Sequence, residues 1–223
     1  MLRIVLGYMV LLMAGVMQPV FAQSVSSGLI VAQETGWVDL DLVNSRSEDP
    51  AGLHLLAKNV RDDAPTAMAV GWHREGVGAS GAQASAPAIK AETGFDPVEN
   101  RSEQIIIQFD QPVTQTDIDV DYFHRDEGAW GGVSYHERGG WRAYRGGALV
   151  GEGLFLPGQK GGAHQIRIAA PQPFDRLELF ATPYVTETGA EIEPGLITSD
   201  SSDFLIKHIA YRPVSAVQPI AVR

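Results

Sequence analysis

Over residues 104–110 a period of two places the apolar Ile105, Ile107 and Phe109 on one side of an extended strand. Residues 116–123 repeat the period, with Ile118, Val120 and Tyr122 facing one way and Asp117, Asp119 and Asp121 the other. Residues 141–144 and 148–155 flank Arg145-Gly146-Gly147, a short glycine-containing connection of the kind that closes hairpins. Further strand patterns occupy 28–33, 37–43, 164–168, 174–181 and 204–211. The last is apolar on both faces, so its pattern does not orient it. Only residues 50–60 space their apolar side chains at helical intervals, through Leu53, Leu56, Ala57 and Val60. A helix or a turn-rich connection is expected there. Short strands separated by Gly, Pro and Asp predict an antiparallel β-sandwich. No repeat and no composition shift divides it, so one domain is expected over residues 23–213.

The first 22 residues follow a different pattern. Arg3 precedes an apolar run over 4–17, Gln18-Pro19 breaks it, and Val20-Phe21-Ala22 presents small or modest side chains before a cleavage point. This is the layout of a secretory signal peptide cut after Ala22. The run, about 14 residues, falls short of the ~20 that span a bilayer, so no transmembrane anchor is expected. The product is expected to be exported, whether secreted, surface-associated or periplasmic. Residues 214–223 read as a loose tail.

Composition narrows the function classes. Hydrophobic residues make up 44% of the chain, enough for a sizeable core. A formal charge of −10 disfavours nucleic acid and anionic membranes as partners. There is no cysteine, which removes disulfides, thiol catalysis and cysteine metal sites and leaves the core to hold the fold.

Two long connections, 74–102 and 182–202, exceed the usual ~2–6 residues and are candidate functional loops. They or their strand junctions carry Asp96, Glu99, Glu103, Asp200 and Asp203. Loop carboxylates can wrap one calcium ion, which takes ~6–8 oxygens. The Asp117, Asp119 and Asp121 ladder reads instead as a solvated sheet face, because a straight strand cannot surround an ion. Near the hairpin, Trp130 sits among glycines and is expected to be exposed, whereas Trp141 is expected in the core. Trp130 and Tyr135 could stack on a sugar while Arg125 and Glu137 bond its hydroxyls. No zinc spacing, nucleophile elbow or other catalytic signature is present.

Residues 76–213 resemble a module of bacterial exosortase-sorted and RTX-type surface proteins. The segments that carry the likeness are Gly76-Val77-Gly78, Gly94-Phe95-Asp96, Ser102-Glu103-Gln104-Ile105-Ile106-Ile107-Gln108-Phe109, Gly140-Trp141-Arg142-Ala143-Tyr144, Leu149-Val150-Gly151, Pro173-Phe174-Asp175-Arg176-Leu177 and Ser202-Asp203-Phe204-Leu205-Ile206. The resemblance implies a jelly-roll-like sandwich related to carbohydrate-binding modules. It places Asp96, Glu103 and Asp203 in matching segments, as candidate ligands of a structural calcium. The chain departs from it in having Ala-Ser-Gly-Ala-Gln after Gly78, and in lacking nonapeptide repeats and a sorting tail. The expected function is non-catalytic binding of glycan or extracellular matrix, calcium-assisted. The alternatives are an adhesive protein working through protein contacts and a polysaccharide-active enzyme using loop carboxylates.

Overall fold

The computed structural model describes residues 36–45, 52–79, 91–158, 162–197 and 202–214. The signal peptide, the strand expected at 28–33, the loop centre at 80–90, Asp200 and most of the tail lie outside them. The strands are β1 (Val38–Asp41), β2 (Leu53–Lys58), β3 (Val70–His73), β4 (Gly76–Ala79), β5 (Thr93–Asp96), β6 (Arg101–Ser102), β7 (Gln104–Asp121), β8 (Gly128–Trp130), β9 (Val133–Arg145), β10 (Ala148–Phe155), β11 (His164–Ile168), β12 (Phe174–Thr186) and β13 (Asp203–Pro213). One short helix, α1 (Leu42–Ser45), follows β1, and Asp41 caps it by accepting the Asn44 N–H. Among the described residues no helix is long and apolar enough to cross a membrane.

The long strand β7 organises the fold because it changes partners halfway. Its first part pairs with β2 on one side and β12 on the other, and β12 continues through β9 to β10. Its second part lies between β11 and β13, and β13 in turn pairs with β1 and β4. All of these pairings are antiparallel, giving two layers of an all-β sandwich. The inward sides meet in one core. Ile105, Ile107, Leu177, Leu179, Leu53 and Leu55 come from the first layer, and Ile118, Ile166, Ile209 and Leu40 from the second. Phe109 joins the layers by packing against Phe174 and Tyr211.

The hairpin forms as the glycines predict. Gly146 and Gly147 adopt φ of 55° and 86°, the left-handed conformations of a tight two-residue turn. Residues 53–58, where helical spacing was noted, form strand β2. Leu53, Leu55 and Ala57 face the core at period two, and Leu56, which supplied the helical interval, lies opposite Ile106 of β7. Extended pairing with β7 overrides the local pattern. The expected loop over 74–102 also contains β4 and β5, whose residues are all buried.

Candidate functional site

The second layer exposes one transverse row with functional character. Asp41 of β1, His208 of β13, Asp119 of β7 and Gln165 of β11 stand in register across four strands. Residues directly opposite on neighbouring strands point to the same side, so the four share one face. They line a groove of ≈ 570 Å³, with Val43 and Asn44 of α1 on one side and Ala163 and His164 on the other.

Each floor group is held in place. Gln165 Nε2 donates to Asp119 Oδ1 at 3.0 Å. His208 contacts Asp39 through Nε2 and lies 3.6 Å from Asp119 Oδ2 through Nδ1, so its imidazole bridges two carboxylates. A register shift between Ile206 and His208 adds Lys207 to the groove lining. Lys207 Nζ donates to Asp121 Oδ2 at 3.0 Å. Beside the row, Arg167 grips Asp117 with two hydrogen bonds of 2.9 and 2.8 Å, which lowers the Asp117 carboxyl below its usual range. Burial lowers the His164 imidazole, favouring its neutral form. The ladder of Asp117, Asp119 and Asp121 is thus one face, as its alternation indicated, with a cation or an amide on every member.

The residues expected to bind ligand or metal lie elsewhere. Trp130 is exposed at the tip of the β8–β9 hairpin. Tyr135 packs against Tyr184 with ring centroids 4.7 Å apart, and Arg125 is ion-paired with Glu187 at 3.0 Å. Glu137 is buried beneath them, accepting the N–H groups of His124 and Asp203. None of these four lines the groove. Asp96, Glu103 and Asp203 are all buried near the junction of β5, β6 and β13. Asp96 Oδ1 takes the Val98 and Glu99 N–H groups and Glu103 Oε2 takes that of Gly94. The carboxylate brought against Asp203 is Glu137, through the 3.0 Å bond from the Asp203 N–H. Burial first, then repulsion from Asp203, raises the Glu137 carboxyl well above the usual carboxylate range.

Among the described residues, one group gathers three ionisable ligand atoms within 4.8 Å: Asp126, His136 and Glu187. His136 Nδ1 accepts the Asp126 N–H at 3.0 Å, which places the neutral ring's proton on Nε2. Nε2 faces Glu187 Oε1 at 3.2 Å. A metal on Nε2 needs that lone pair, and hence a proton on Nδ1, where the backbone N–H already sits. The cluster therefore acts as a clasp tying the loop after β7 to β9 and to the turn after β12.

The sequence pattern marks Asp119 only as part of a solvated sheet face and gives His208 no role. Their signal lies in register, which no local pattern contains. No family model, curated protein or solved structure matches this chain.

Proposed function

We propose that this chain is an exported, non-catalytic binding protein that holds a glycan in the groove of its second layer. The observation that carries the reading is the row Asp41–His208–Asp119–Gln165. Carboxylate, amide and imidazole groups fixed on a sheet are a donor–acceptor set suited to the vicinal hydroxyls of a sugar. Two carboxylates against one ammonium in the lining favour neutral sugars over uronates. Among the described residues the lining holds no hydroxyl or thiol nucleophile. Asp41 and Asp119 stand on either side of β13, and His208 occupies the position between them.

Calcium assistance, expected at Asp96, Glu103 and Asp203, extends in this reading to Glu137, the carboxylate repelled by Asp203. A divalent cation beside two buried carboxylates would offset the burial, and then the repulsion, that raise Glu137. Among the described residues Asp96, whose buried Oδ2 has no hydrogen-bond partner, does not gather with them into a three-ligand group.

The test is a glycan array probed with the protein lacking residues 1–22, followed by titration of the sugars retained. Asp119→Ala and Gln165→Ala are expected to weaken binding about tenfold or more, the cost of hydrogen bonds left unmade. Melting temperature should hardly change. Retention of no sugar, or binding indifferent to both substitutions, would overturn the reading.

A further inference from the structure

Strand β10 pairs with β9 along one edge, and among the described residues no strand pairs with its other edge. Its inner side is committed to the core. Phe155 is buried against Phe123 and Phe204, and Gly151 and Gly153 pass over the Trp141 ring, which leaves no room for side chains. Its outer side is different. A register shift between Leu149 and Gly151 inserts one extra residue, so Leu149, Glu152 and Leu154 lie opposite Tyr144, Arg142 and Gly140, alternate residues on one face of β9. The bulge thus gathers on one face two leucines that regular alternation would send to opposite faces.

Both leucines are solvated, at 50% and 62% exposure, and Leu156 just beyond the strand is at 47%. Leu154 stands across from a glycine, so β9 offers it no neighbouring side chain. Proteins commonly protect such an edge with lysine, proline or a cluster of charges. Here residues 148–156 carry one charge, Glu152, and it is already paired with Arg142 at 3.7 Å.

We propose that β10 is a homotypic docking edge, where a second copy of this chain adds its own β10 antiparallel about a two-fold axis. The strand reads compatibly in both directions. With the bulge counted, the two-fold axis passes at Glu152, and Leu149 faces the second copy's Leu154 while Leu154 faces the second copy's Leu149. The axis also sets the two Glu152 side chains opposite each other, on the face that carries the leucines. Each arrives with its own Arg142, so the seam carries equal numbers of opposite charges rather than bare repulsion. The joined first layers would form one continuous sheet, and the grooves, which lie on the second layers, would stay open. The proposal is independent of what those grooves bind.

Sedimentation velocity over a dilution series, paired with amide hydrogen exchange, tests it on the protein lacking residues 1–22. The expected result is a reversible dimer, with exchange protection at 149–154 that rises with concentration. Leu149→Lys and Leu154→Lys should each weaken association about tenfold or more, through lost apolar contact and a charge set opposite the second copy's remaining leucine. Leu196→Lys, at a similarly exposed leucine outside the strand, should leave association unchanged. Melting curves of the lysine variants should match the parent, since both leucines already face water. A monomer up to millimolar concentration overturns the proposal. So does a dimer indifferent to both substitutions, or protection at 149–154 independent of concentration, which would mean the chain covers its own edge.

Discussion

Asp119, assigned to binding in the proposed reading, contributes little to folding. It is part-exposed, and its structural partners are an amide and a half-buried imidazole. An asparagine keeps the oxygen that accepts the Gln165 amide, so Asp119→Asn should shift stability by no more than about 0.5 kcal/mol. Gly78 is the opposite case. It carries no chemistry, yet a Cβ there would lie 2.2 Å from the carbonyl oxygen of Ala91 and 3.0 Å from Thr93 N. Backbone atoms cannot step aside as a flexible side chain would. Gly78→Ala should therefore cost about 1–3 kcal/mol or more, read as a lowered denaturation midpoint at unchanged slope. The same crowding explains why β4, Gly-Val-Gly-Ala, is hidden to a reader of patterns. Its small residues are imposed by neighbouring backbone, not by alternation between core and water.

Between elements, β9 meets the start of β13 at a cost. Glu137 on β9 and Asp203 on β13 are both buried, and the Glu137 carboxyl binds its proton more tightly in the folded chain than in the unfolded one. A raised folded value means that this group's stabilisation is complete below the unfolded value of about 4.5, and is lost as pH rises through the folded value. Melting temperature should accordingly carry a component that falls with rising pH, and Glu137→Gln should remove it. Glutamine turns an NH2 toward one of the two backbone N–H donors, so the variant also loses about 1 kcal/mol at every pH. If calcium sits beside the pair, it should raise the melting temperature of the parent at neutral pH, magnesium should not, and the variant should respond to neither. Identical curves in chelator and in millimolar calcium would remove calcium from the functional reading. Glu137 had been read as a surface contact for sugar hydroxyls. On β9 it follows His136, another buried polar residue, so alternation carried no sign of which would turn inward.

At the scale of the molecule, β7 decides both how the fold holds and how much of it could be read in advance. Its two halves were legible because each sets apolar residues at period two, with Ile106 as an extra buried residue in the first, and the β9–β10 hairpin because its turn chemistry is local. The groove was not legible. Asp41, Asp119, Gln165 and His208 are scattered along the chain, and meet only because β1, β7, β11 and β13 pair in one particular register. Part of that register depends on a shift beside Lys207, for which the sequence gives no turn residue or glycine. The same topology makes a mechanical prediction. Ile107 lies in the half of β7 that belongs to the first layer and Ile118 in the half that belongs to the second, and both are fully buried in one core. Since one strand runs through both layers, neither layer can lose its centre without withdrawing β7 from the other. Ile107→Ala and Ile118→Ala should each cost about 2–5 kcal/mol, the range for truncating a buried isoleucine. Both should lower a single transition, seen at the same temperature by far-ultraviolet circular dichroism and by tryptophan fluorescence. Ile107→Asp, which buries a charge at the same point, should prevent folding altogether. Two separated transitions in either alanine variant would mean that the layers unfold independently, and that β7 does not couple them.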